Sequence, residues 1–195
     1  MELPSRKRLR HPTFNYTNSA CYFITIVVNE REPLFGYIND DTMHLNDAGR
    51  MVVETISHIE KLHPGCTVPH KIVMPNHIHF ILQTPWSTAL PEIIRQFKSR
   101  TTTEYARRVT SDGWPRFDIH LWQRSYYDHI IRNQQEYTHI ANYIETNPTR
   151  WTNDRFAILF KTPKDTTSTE HTHVRNVKHA FIADHLKTAG CKHEH

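Results

Sequence analysis

Cysteine is scarce in this chain and never closely paired: Cys21, Cys66 and Cys191 are the only three in 195 residues, and none belongs to a C-x-x-C. An odd, widely spaced set excludes a disulfide framework and a cysteine-held zinc, and leaves ordinary reduced thiols. Long apolar runs are missing as well. The longest, "YFITIVV" at 22–28, falls short of the roughly 20 residues a membrane helix needs, and no signal peptide precedes it, so the cytoplasm is the expected compartment. There is no internal repeat, which excludes a solenoid or propeller.

What is present fits a globular chain of 37% hydrophobic and 23% charged residues, long enough for one domain of roughly 150 residues with appendages. The net charge of +4 and pI near 9.0 are compatible with a polyanionic partner. The distribution of charge says more. "SRKRLRH" gathers Arg6, Lys7, Arg8 and Arg10 into a short N-terminal arm, and Arg95, Lys98, Arg100, Arg107 and Arg108 line a later segment. Either run can hold phosphates or simply be a solvated face, and the pattern leaves both open.

Hydrophobic periodicity orders the elements. Residues 20–28 read as a strand, and 47–62 as a helix burying Met51, Val52, Thr55, Ile56, Ile59 and Leu62, stopped by "HPG". Strands follow at about 67–74 and 77–83, joined by a tight Pro75-Asn76 connection. Pro91 opens a second helix with a stripe of Ile94, Phe97, Thr101 and Tyr105, and "LWQRSYYDHII" at 121–131 reads as a fourth strand. The order β-α-β-β-α-β predicts an α+β, ferredoxin-like antiparallel sheet with helices on one face and the other face free. One more helix, "QQEYTHIANYIETNP", buries Tyr137, Ile140, Ala141 and Ile144, and sets Tyr143 and Asn147 one turn apart beside that stripe. The expected organisation is a basic arm at 1–14, a main domain at 15–160, and a polar tail at 161–195 whose Val174, Val177, Phe181 and Leu186 suggest a docking helix.

Within "KIVMPNHIHFIL" the strand period puts His77, His79 and Ile81 on one face and Ile78, Phe80 and Leu82 on the other. With 16 histidines, about one His-x-His is expected by chance, and three occur. His171/His173 lies in a polar run and His193/His195 at the chain end, so only His77/His79 has rigid, apolar support. Two same-face imidazoles can share a divalent ion, although a polar sheet face is the plainer reading. An ion there could polarise a phosphate oxygen while a tyrosine attacks phosphorus. Tyr143 is the candidate, Tyr126 and Tyr127 its rivals, and packing is the plain alternative for all three. Trp114, Phe117 and Trp122 read as core or loop anchors.

The ordered set "VMPNHIHFIL", "IIRQFKSRTTTEYA" and "LWQRSYYDHIIRNQQEYTHIANYIETNP" resembles the single-tyrosine HUH transposases, most closely their REP-associated branch, over about residues 15–151. The resemblance implies a catalytic domain at 15–160 with His77 and His79 as metal ligands on a central strand, Asn147 as a third polar ligand, and Tyr143 as nucleophile. It implies Mg²⁺ or Mn²⁺ and cleavage of single-stranded, hairpin-associated DNA through a 5′-phosphotyrosine. Arg6, Lys7, Arg8, Arg10, Lys98 and Arg100 would contact the DNA, and a homodimer is left open. Asn147 reads equally well as a structural helix end. The rival readings are a catalytically silent DNA-binding protein and a phosphodiesterase that uses water in place of Tyr143.

Overall fold

A computed structural model describes residues 20–85 and 89–153. These lie in a unit spanning Met1–Phe160; a second unit, Lys161–His195, is outside the described residues, as are the arm residues Arg6, Lys7, Arg8 and Arg10, the terminal His pairs and the suggested docking helix. The elements are β1 (Ala20–Val27), β2 (Gly36–Asn39), β3 (Thr42–Leu45), α1 (Asp47–Leu62), β4 (Lys71–Met74), β5 (His77–Thr84), α2 (Leu90–Ser111), β6 (Tyr127–Ile131) and α3 (Gln134–Glu145). Short 3-10 turns occupy Asn29–Arg31 and Pro148–Asn153.

Four strands form one sheet in the order β4-β5-β1-β6, every neighbouring pair antiparallel. With α1 and α2 in their crossovers, this is the ferredoxin-like βαββαβ arrangement that the periodicity predicts. The core is built from one sheet face, Tyr22, Ile24, Ile26, Val73, Ile78, Phe80 and Leu82, against Val52, Ile56 and Ile59 of α1 and Ile94, Phe97 and Tyr105 of α2. Asn46 caps α1 by accepting from the Gly49 amide at 2.9 Å. Gly49 has to be small, because a Cβ there would lie 2.3 Å from the Phe35 carbonyl oxygen. Leu62, expected on the buried stripe, is exposed at the helix end.

Three features differ from the sequence reading. The loop after β1 contains a hairpin, β2 with β3, turned by Asp40 and Asp41 at φ 46° and 57°. The fourth strand is broken. Trp122 bridges to Val28, but regular pairing resumes only at Tyr127 opposite Thr25, so this stretch carries two more residues than β1 across the same span. The bulge is pinned by Lys98, whose ammonium donates to the carbonyls of Gln123 (2.8 Å), Ser125 (3.1 Å) and Arg124 (3.4 Å). Finally, the second sheet face is not free, since α3 packs on β4 and β5.

Candidate active site

β5 has a strand on either side, so residues at its centre are walled in laterally before any helix is added. His77 and His79 stand on its second face and are fully buried, with ring centroids 4.6 Å apart. Register brings Met74 beside His77 and Thr25 beside His79, and Phe23 stacks on the His79 ring at 5.3 Å. Each imidazole is oriented through Nδ1: that of His77 bonds to Asn76 Oδ1 at 2.9 Å, and that of His79 to Thr25 Oγ1 at 2.8 Å. Nδ1 contacts of this kind are what orients a metal-binding histidine to present Nε2.

α3 covers this pair because both its ends are tied to the sheet. At its start Asn133 accepts from the Glu136 amide, and the Glu136 carboxylate accepts in turn from the Arg132 amide, each at 2.8 Å. The same carboxylate takes His129 Nε2 at 2.5 Å. Burial pushes Glu136 upward, but the Arg132 amide and the His129 imidazole outweigh it and leave the carboxyl below its ordinary value. At the other end His70 Nδ1 meets Glu145 at 3.2 Å. Between these anchors Tyr143 is buried, its ring edge-on to Phe23 at 6.0 Å and to His79 at 5.3 Å. Its hydroxyl lies 3.4 Å from His79 Nε2, a contact between residues 64 apart in the chain.

Asn147 is not on the helix. It follows the C-cap residue Thr146 and precedes the turn at Pro148–Asn153, from which Trp151 stacks on His77 at 6.1 Å. Asn147 thus sits between two residues whose rings touch the two histidines. It is buried, and among the described residues neither its amide oxygen nor its amide nitrogen finds a hydrogen-bond partner.

His77, His79 and Tyr143 therefore meet, and Asn147 lies in the chain segment that bridges them. Tyr127 shares their sheet face, but it is half exposed and its strand is separated from β5 by β1. Tyr126 turns to the other side, where it packs against the core with the Lys98 ammonium 5.7 Å from its ring. Cys21, on the His face, has its thiol pushed up to about 11, chiefly by burial, so it is no competing nucleophile at neutral pH. Lys98 and Arg100 project from α2, on the opposite face of the sheet. Arg100 is exposed and free of ion pairs among the described residues, whereas the three N–H groups of Lys98 are occupied by carbonyls. Lys98 thus holds the bulge rather than offering a free charge. Thr25, Asn76 and Trp151 were not readable as site residues: Thr25 and Trp151 meet the histidines only through sheet register and the fold of the chain after α3, and only the adjacency of Asn76 to His77 offered a signal.

Strand order and helix placement define a ferredoxin-like α+β domain with an added helix on its second face. The chain belongs to the IS200-like transposase family, whose sequence profile matches residues 17–147, and so to a class of DNA-cutting enzymes. A Haemophilus influenzae protein named only as uncharacterized is 32% identical over 175 residues, covering 78% of this chain and 93% of that one. A second H. influenzae protein, named for the REP-associated tyrosine transposases, is 25% identical over 141 residues, covering 70% and 74%. Among solved structures, a REP-associated tyrosine transposase bound to a REP hairpin has a similar fold, with a TM-score of 0.52 at 22% identity over 72% of this chain and 73% of that one. Among the described residues no helix is long and apolar enough to cross a membrane.

Proposed function

We propose that the chain is a metal-dependent transposase that cuts and rejoins single-stranded, hairpin-associated DNA through a 5′-phosphotyrosine on Tyr143. The observation that carries this reading is the contact of the Tyr143 hydroxyl with His79 Nε2, 3.4 Å, inside a buried pair of strand histidines. His77 and His79, with Asn147 as third polar ligand, would hold Mg²⁺ or Mn²⁺. The residues fit such an ion. The rings are oriented through Nδ1, and the Asn147 amide is buried without a partner, an arrangement costing about 1–3 kcal/mol that a ligand would relieve. Two imidazoles and an amide make all three proposed ligands neutral, and the described residues contain no group of three or more His, Cys, Asp or Glu suited to a metal. An ion bound there would polarise a phosphate oxygen of the scissile group.

The other tasks fall to the chain itself. A phenol ordinarily ionises near pH 10 and needs a favourable field to react at neutral pH. Packing against Phe23 and His79 restricts the Tyr143 ring, so that the oxygen is held near the histidines without further ordering. Tyr143 Oη attacks phosphorus and its proton passes to solvent; the bond from phosphorus to O3′ breaks, and the departing oxygen is protonated to a 3′-hydroxyl. One phosphodiester is exchanged for another, so the reverse step can join strands without a nucleotide triphosphate. The solved relative bound to a REP hairpin supports a hairpin substrate. Arg6, Lys7, Arg8 and Arg10, with Arg100, are the proposed phosphate contacts.

A labelled oligonucleotide carrying a hairpin and a single-stranded flank, incubated with the protein and Mn²⁺, should yield a covalent adduct that survives denaturation. Peptide mapping should find it within "EYTHIANYIETNPTR", and Tyr143→Phe should abolish it while Tyr126→Phe, Tyr127→Phe and Tyr137→Phe keep it. An adduct that persists in Tyr143→Phe would remove Tyr143 as nucleophile. Cleavage without any adduct would instead indicate attack by water.

A further inference from the structure

We infer that Asn76 is a positioning residue that locks His77 into the neutral tautomer with its proton on Nδ1 and a bare Nε2 to offer a metal ion, and that the turn at Asn29–Arg31 holds Asn76 in this role. The inference rests on the metal-site reading above. Asn76 is fully buried in the connection between β4 and β5. One end of its amide faces the Arg31 carbonyl oxygen at 3.0 Å, and the other faces His77 Nδ1 at 2.9 Å. A carbonyl oxygen only accepts, so the end facing Arg31 must be the NH₂ group. The end facing His77 is then the amide oxygen, which also only accepts, and Nδ1 must donate to it. A neutral imidazole has one N–H, so Nε2 is left with its lone pair. Turning the amide over, the usual ambiguity for asparagine, would set oxygen against oxygen at Arg31.

The Arg31 carbonyl is held there at some expense to the backbone. Glu30 and Arg31 both have positive φ, 52° and 60°, a region disfavoured for residues that carry a Cβ. Surrounding hydrogen bonds keep them in it. The Val28 amide donates to the Asn76 carbonyl at 2.9 Å, the Arg31 amide to Val28 at 3.0 Å, and the Phe35 amide to the Pro75 carbonyl at 3.1 Å. Residues 28–35 are thereby stitched to the Pro75-Asn76 connection on both sides of the strained pair. His79 is treated differently. Its Nδ1 meets the Thr25 hydroxyl, which can donate or accept and so tolerates either tautomer. One ligand is fixed before an ion arrives and the other is free to adjust.

Long-range proton–nitrogen correlation spectra of the full chain, isotope-labelled at its histidine nitrogens, metal-free and at a pH where imidazoles are neutral, report each tautomer. His77→Ala identifies the His77 signals by their loss. His77 should show a protonated Nδ1 and a bare Nε2, and Asn76→Ala should turn this into a mixture. Mn²⁺ affinity, measured calorimetrically without DNA, should fall about 10- to 100-fold in Asn76→Ala. A wild-type His77 protonated on Nε2 overturns the inference even if Asn76→Ala does not fold. So does an Asn76→Ala protein with unchanged tautomer and affinity, in which case the metal site itself would stand. A wild-type protein with the expected tautomer that binds no Mn²⁺ would uphold the lock and remove the metal reading.

Discussion

An imidazole sealed beneath a helix costs free energy unless its polar atoms are used, and this sheet face seals two of them among Met74, Phe23 and Ile81. An apolar pair would pack there with less difficulty, so the histidines are better explained by chemistry than by stability. The pair was legible in the sequence because a strand's period of two fixes which residues share a face, whatever the strand pairs with. Thr25 was not, because its place opposite His79 depends on the register of two strands 54 residues apart. Trp151 was hidden because it reaches His77 only through the fold of the chain after α3. If the proposed site holds the ion, His77→Ala and His79→Ala should each lower metal-dependent strand cleavage by more than about 100-fold, beyond the range seen for outer-shell partners. Hairpin affinity should change little if it comes, as proposed, from phosphate contacts elsewhere. Cleavage assays in Mg²⁺ and Mn²⁺ beside a binding titration test this; either variant cutting at the wild-type rate would sink the ligand assignment.

Helices carried their own signals at the scale of whole elements. α1 begins and ends where apolar spacing puts it, and α2 begins where Pro91 puts it, because a 3.6-residue period over many turns is hard to mimic. The β2–β3 hairpin escaped notice since its strands are four residues each and its turn uses Asp40-Asp41 in place of the Asn-Gly or Asp-Gly that marks most such turns. The break before β6 escaped for another reason: what holds it is a lysine reaching over from α2, which no local pattern in that stretch shows. Burial pushes the Lys98 ammonium down to about 8 from an ordinary value of 10.5. Between those two values the unfolded chain binds more protons than the folded one, so this residue's contribution to stability rises with pH across the window and is flat below it. Urea unfolding of the wild type and Lys98→Met at pH 8 and pH 10 should show the wild type gaining on the variant at the higher pH. Equal differences at the two values would mean that the three carbonyls keep Lys98 at its ordinary ionisation.

For the molecule as a whole, the question is where its positive charge is available to DNA. Much of the basic content of α2 is already engaged: Arg95 pairs with Glu92, Arg107 with Glu104, and Arg108 with both Glu104 and Asp112. The guanidinium contacts hold Glu92 and Glu104 down to about 2, so these carboxylates stay ionised and keep neutralising their partners at any physiological pH. With Lys98 bound to carbonyls as well, Arg100 is the basic residue of the 95–108 run left without an ion pair or hydrogen bond among the described residues. The net charge of +4 must then act largely from elsewhere, and the densest basic run in the sequence is Arg6, Lys7, Arg8 and Arg10. If that arm lies along the DNA backbone, replacing all four residues with alanine should weaken binding and flatten its salt dependence. Each lost contact removes roughly 0.7 to 0.9 from the slope of log affinity against log salt, so four contacts should remove about 3. Anisotropy titrations of a labelled hairpin at several salt concentrations measure this directly. The same variant should retain the Tyr143 adduct at saturating protein, because the arm supplies affinity and not chemistry. A slope unchanged by the four substitutions would reduce the arm to a solvated charge run and shift the search for phosphate contacts to Arg100 and the surface around it.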